Sequence, residues 1–244
     1  MNFDEKITGW DFSAYFNSGK MKETPLPWNY SEIVKHYFRN SEILLDMGTG
    51  GGEFLKTLSP LPANTYATEN YQPNIKIAED NLNPLGVQVI SGYEDSSLPF
   101  AGGMFDLVIN RHEYYDASEI CRILKPGGYF ITQQVKWNCD KEIPELLGVK
   151  FDPEYKGWSL QKALKDLGEF PFSVILQDEC EGYTEFCDPD VLIAYINTVS
   201  WLVPDFSGEK YHDKLLAASE IIRSEGCFKT TLDRFIIVVK KTEI

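Results

Sequence analysis

The sequence predicts an α/β fold built on a largely parallel sheet, and three observations carry that expectation. From Glu42 to Val135, apolar runs with strand character alternate five times with segments of helical spacing. The stretches between runs allow the crossovers that parallel neighbours require. The first run opens straight into a glycine-rich turn and then a helix.

Ahead of the sheet, Tyr30, Ile33, Val34, Tyr37 and Phe38 share one face of a helix. An aromatic-rich arm holding Trp10, Phe12, Tyr15, Phe16 and Trp28 precedes it, and residues 1–40 read as a lid. Strands are expected at Ile43–Met47, Thr65–Thr68, Val87–Ile90, Phe105–Asn110 and Tyr129–Val135. The helices between them are Glu53–Leu58, Pro73–Leu82 and Ser118–Leu124, the last placing Ile120, Ile123 and Leu124 on one face. Lys125-Pro126-Gly127-Gly128 then stops it.

Later come a helix at Leu160–Leu167, a strand at Ser173–Gln177, helices at Val191–Leu202 and Lys210–Arg223, and a last strand at Phe235–Lys240. The two late helices read as an insertion near 186–226 within a domain spanning 41–244. Such an insertion either shapes a substrate site or adds core volume.

Composition narrows the function classes. With 244 residues and 43% hydrophobic content the chain can bury a sizeable core. No apolar run reaches the roughly 20 residues that span a bilayer. The start, MNFDEKITGWDFSAYF, lacks the basic and apolar stretches of a secretory signal, so a cytoplasmic protein is expected. Against 37 acidic side chains stand 23 basic ones, a net charge of −14 that repels a phosphate backbone. A small-molecule substrate is therefore favoured over nucleic acid. Five cysteines without a C-x-x-C pair suggest reduced thiols, neither a disulfide framework nor a zinc site. Three histidines without an H-E-x-x-H pair add no metal ligand set, and no metal is expected. Oligomeric state stays unassigned.

The chemistry concentrates in Leu44-Leu45-Asp46-Met47-Gly48-Thr49-Gly50-Gly51-Gly52-Glu53-Phe54-Leu55. Glycines permit a tight turn and let a ligand lie against the backbone, while N–H groups of the next helix face that ligand. A nucleotide-like cofactor fits such a turn. A dinucleotide fingerprint starting at Gly48 would need glycine at position 53, which is Glu53.

The run Asp46-x-Gly48-x-Gly50-x-Gly52 instead resembles the first motif of class I S-adenosylmethionine-dependent methyltransferases. Four further segments extend the resemblance: Tyr66-Ala67-Thr68-Glu69-Asn70, Gly92-Tyr93-Glu94-Asp95-Ser96-Ser97-Leu98-Pro99-Phe100, Phe105 to Asn110, and Ile123-Leu124-Lys125-Pro126-Gly127-Gly128-Tyr129-Phe130. It implies a Rossmann-like three-layer sandwich with a seven-stranded, mostly parallel sheet of order 3-2-1-4-5-7-6, the last strand antiparallel. It also implies S-adenosylmethionine as cofactor and S-adenosylhomocysteine as product. By the same resemblance Asp46, Gly48, Thr49, Gly50 and Gly52 form the cofactor turn, Glu69 holds the ribose hydroxyls, Glu94 or Asp95 meets the adenine edge, and Asn70 and Asn110 flank the cofactor. Asn70 departs from the apolar residue usual at its position.

Methyl transfer from a sulfonium needs a positioned nucleophile and exclusion of water. An alcohol or ammonium acceptor also needs a proton acceptor, for which His112 at the exit of the fourth strand is the candidate. Tyr15, Trp28, Tyr30, Arg111 and Trp201 are candidate substrate contacts: aromatic faces for a cation, a guanidinium for an anion. The tetrapeptide Asn110-Arg111-His112-Glu113 is not the Asn/Asp-Pro-Pro-aromatic signature of enzymes that methylate planar nitrogens.

Overall fold

The computed structural model describes residue 7 and residues 10–242. The first residues of the expected arm, 1–6 and 8–9, lie outside this range. The chain divides into two compact units, one made of residues 27–135, 159–179 and 235–244, the other of 1–26, 136–158 and 180–234.

The first unit carries a seven-stranded sheet: β1 (Ile43–Met47), β2 (Asn64–Thr68), β3 (Gln88–Ile90), β4 (Phe105–Arg111), β5 (Leu124–Val135), β6 (Phe172–Cys180) and β7 (Arg234–Lys241). Its order is β3-β2-β1-β4-β5-β7-β6, the expected one. The pairs β1–β2, β1–β4, β2–β3 and β4–β5 are parallel, with Met47 level with both Thr68 and Asn110. Successive strand residues point to opposite faces. Leu44, Leu107, Ile109, Ile131, Ile236 and Val238 meet Val34, Leu55, Ala78 and Leu82 from the helices Tyr30–Phe38, Glu53–Thr57 and Gln72–Leu82. Their neighbours Leu45, Val108 and Phe130 are equally buried, as are Ile120 and Ile123 of the helix Ala117–Ile123. A strand buried on both faces explains why these runs read as continuously apolar.

One boundary differs from expectation. Leu124, placed in a helix by its spacing, begins β5 and pairs with Phe105, and the register then shifts to Leu107 opposite Tyr129. Gly127 has φ +80°, and a Cβ on Gly128 would lie 3.0 Å from the Lys125 carbonyl. The glycines thus end the helix and also form an irregularity inside the strand.

The second unit contains a small antiparallel sheet in which Tyr183–Phe186 lies between Met21–Glu23 and Phe228–Thr231. None of it was legible from period alone, because three or four residues do not establish alternation. Helices Pro189–Thr198 and His212–Glu225 lie near the two expected late helices, each shifted by a few residues at its ends. Asp188 caps the first by accepting from Asp190 N–H, with Pro189 in the first turn. Their apolar faces, through Ile193, Ile196, Leu215 and Ala218, share a core with Ile143, Phe186 and Phe228.

This sheet corrects the expectation of uniformly reduced cysteines. Phe186 pairs with Phe228, so the next positions outward, Cys187 and Cys227, are cross-strand neighbours and form a disulfide with Cα atoms 4.0 Å apart. A separation of 40 residues hid this pair in the sequence. Cys121, Cys139 and Cys180 are free thiols. Among the described residues, no helix is long and apolar enough to cross a membrane.

Candidate functional site

The site begins where β1 ends. Gly48 at φ +65° and Gly52 at φ +80° turn the chain through left-handed conformations that side chains resist. Space is short as well. A Cβ on Gly48 would fall 2.3 Å from Glu113 Cγ, and one on Gly52 would fall 2.7 Å from Leu82 Cγ. The turn is pinned to β2: Thr49 N–H donates to the Thr68 carbonyl at 2.9 Å and Gly48 N–H to Thr68 Oγ1 at 3.3 Å.

Three carboxylates, Asp46, Glu69 and Glu113, lie at this turn, and a fourth, Asp95, acts on Glu113. Asp46, only 4% exposed on β1, is pushed up to about 6 by burial, partly offset by the Arg111 guanidinium. Glu69 closes β2, and its Oε1 accepts from Tyr71 N–H at 2.7 Å. Burial raises it against the hydrogen bonds that favour its charge. Asp95 is raised by burial and by Glu94 beside it. Glu113, just past β4, is pushed up to about 7, first by burial and then by Asp95, with Glu69 adding to it. Each would be relieved by a positive charge placed among them.

Other expected residues hold the frame. Asn70 ties two loops together, accepting from Gly92 N–H at 2.8 Å and donating to the Tyr93 carbonyl at 2.9 Å. That is a physical reason for a polar residue where the family usually has an apolar one. Glu94 is exposed and turns the loop through its carbonyl, which accepts from Ser97 N–H, whereas Asp95 is half-buried. Asn110 is fully buried; its Oδ1 accepts from Thr132 and Gln134, and its Nδ2 meets no acceptor within the protein. Tyr30 is buried and donates its hydroxyl to the Asn110 carbonyl at 2.9 Å. Arg111 lies over the Phe54 ring at 4.0 Å. His112, exposed and at φ +64°, faces Gln133, which also accepts from Trp28 Nε1.

Tyr15 and Trp201 belong to the second unit, where Tyr15 packs against the core and Trp201 meets Trp10 at 5.4 Å. Glu113 and Gln133 carry more of the site than their sequence context indicated. Glu119 was also missed: it accepts from Leu98 N–H and pairs with Arg122, which donates to the Leu98 and Phe100 carbonyls. The loop before β4 is anchored this way. Its only sequence signal was the acid and base three apart on a helix. Among the described residues, Glu185, Cys187 and Cys227 are grouped like metal ligands, but both sulfurs are already bonded to each other.

The donor set fits a cationic adenosyl cofactor: a side-chain-free turn, an acid at the end of β2, further carboxylates for a positive centre, and an unmet Asn110 amide. Comparison with known proteins agrees. Residues 45–132 match a family described as a methyltransferase domain. A ribosomal protein L11 methyltransferase from Desulforamulus reducens is 27% identical over 57% of this chain, and the match spans about half of that relative, 49%. A methyltransferase candidate from Bacillus halodurans C-125 superposes with TM-score 0.62 at 16% identity, over 88% of this chain and 99% of its own. The [4+2]-cyclase SpnF superposes with TM-score 0.53 at 15% identity, over 87% of this chain and 79% of its own, so the fold also supports other chemistry. Residues 45–132 thus match a methyltransferase-domain family, and the fold around them is shared with the solved methyltransferase candidate.

Proposed function

We propose that the chain transfers a methyl group from S-adenosylmethionine to a small-molecule acceptor by in-line displacement. The observation that carries this reading is the glycine turn with Asp46, Glu69 and Glu113 beside it and Asp95 acting on Glu113. Gly48 to Gly52 would admit the cofactor against the backbone, Glu69 would accept from the ribose hydroxyls, and Glu94 or Asp95 would meet the adenine edge. The bound cofactor supplies an activated methyl on a sulfonium. The protein's own contribution is position and charge. Asn110 offers an unmet amide at the end of β4, His112 lies two residues beyond it as the group beside the acceptor, and the carboxylates favour a cation in the turn.

The net charge of −14 supports a small acceptor over RNA. The relative named as a ribosomal protein methyltransferase gives a second reading, a protein acceptor. Transfer of labelled methyl into cell extract separated into small-molecule, RNA and protein fractions decides between them. Label in the small-molecule fraction supports the proposal; label in protein or RNA replaces the acceptor class; no label in any fraction, with cofactor bound, points to chemistry other than methylation.

A further inference from the structure

Trp28 precedes the helix Tyr30–Phe38, and its indole Nε1–H donates to Gln133 Oε1 at 2.8 Å. The Gln133 carboxamide nitrogen lies 3.2 Å from His112 Nε2. The Gln133 main-chain carbonyl also accepts from His112 N–H at 2.9 Å, so one residue holds both the backbone and the ring of His112. An indole N–H only donates, so the carboxamide must turn its oxygen toward Trp28 and its NH2 toward His112. An NH2 group also only donates. The contact with His112 is therefore a hydrogen bond when Nε2 carries a lone pair, and the ring proton of the neutral imidazole is then on Nδ1. An imidazolium, or the Nε2–H tautomer, would set two donors against each other at 3.2 Å.

Two observations show that the arrangement is held. Gln133 is 4% exposed, so its carboxamide cannot exchange Trp28 for bulk water without leaving a buried polar group unpaired. His112 has φ +64°, a conformation that persists in a β-substituted residue only where its surroundings fix it.

We propose that Trp28 and Gln133 are positioning residues that hold His112 as the neutral Nδ1–H tautomer, with the Nε2 lone pair engaged by the Gln133 carboxamide rather than offered to a substrate. The proposal rests on reading the exit of β4 as the acceptor side of the methyltransferase site. It changes the expected role of His112 from proton acceptor to fixed dipole. It also selects the acceptor class: a nucleophile that arrives with a free electron pair, such as a carboxylate, a thiolate or an unprotonated amine, needs no proton removed by this imidazole, whereas an alcohol does.

The test is long-range proton–nitrogen NMR on histidine-labelled protein at neutral pH, with the His112 signals assigned by their loss in His112→Asn. We expect the wild type to show one protonated-type Nδ1 and one lone-pair-type Nε2. Trp28→Phe should release the carboxamide and mix the two tautomers. Gln133→Glu should replace the donor with an acceptor and move the ring proton to Nε2. An Nε2–H or imidazolium ring in the wild type, or an unchanged ring in Trp28→Phe, overturns the proposal; if Gln133→Glu does not fold by circular dichroism, the Trp28→Phe spectrum decides alone. Calorimetric titration of the wild type with S-adenosylhomocysteine is the separate check on function. Absence of binding would defeat the methyltransferase reading and leave the tautomer result standing.

Discussion

Glu113 packs on Gly48: its Cγ occupies space 2.3 Å from where a Cβ on that glycine would be. The contact joins the exit of β4 to the exit of β1 and brings a carboxyl group that titrates near 7 onto the turn.

Gly48→Ala should therefore act twice. The left-handed backbone costs roughly 1–2 kcal/mol with any side chain, and the new methyl also meets Glu113. We expect lower thermal stability and a loss of cofactor affinity of about tenfold or more, the equivalent of at least about 1.4 kcal/mol. In a Glu113→Gly background the collision disappears, because the Cβ that would lie 2.5 Å away is removed with the rest of the side chain, and the double-mutant cycle should show coupling. Strictly additive melting temperatures would contradict the contact.

The raised carboxyl of Glu113 sets a pH dependence. Its ordinary value is 4.5 and the folded value about 7, so the folded state holds this proton more tightly than the unfolded chain does. The resulting stabilisation is complete below pH 4.5 and is lost as pH rises through about 7. Glu113→Gln should thus be more stable than the wild type at pH 8, by on the order of 1–2 kcal/mol once solvent screening is allowed for. Chemical denaturation across this range checks it, and a wild type that is the more stable at pH 8 would contradict it. A cationic cofactor pulls the same carboxyl down, so binding near pH 7 should release protons, which calorimetry in two buffers of different ionisation enthalpy detects.

Thiol counting tests the small sheet. Denatured without reductant, the protein should show three free thiols, from Cys121, Cys139 and Cys180. Closing a loop of 40 residues restrains the unfolded chain by about 3–4 kcal/mol, so reduction should lower the melting temperature. Five thiols from a freshly purified, unreduced sample would contradict the pairing.

The parallel strands and the glycine turn were legible because each depends on local signals: a buried parallel strand reads as a solid apolar run, and a turn without room for side chains reads as glycine. The sheet order and the role of Glu69 came with the family resemblance. What escaped depends on distance along the chain. Cys187 and Cys227 meet only because two four-residue strands pair. Gln133 reads as a plain polar residue in β5 until register places it beside Arg111 and the turn of the chain brings it to His112. Asn70 stood out as a departure from the apolar residue usual at its position; its hydrogen bonds to the loop at Gly92 and Tyr93 show a clamp.

The most direct test of the cofactor site is calorimetric titration of S-adenosylmethionine into the wild type and Glu69→Ala. We expect saturable binding of one cofactor per chain, weakened in the variant by ribose hydrogen bonds worth about 1.5–3 kcal/mol in total. No heat of binding in the wild type, or equal affinity in both proteins, would contradict the site.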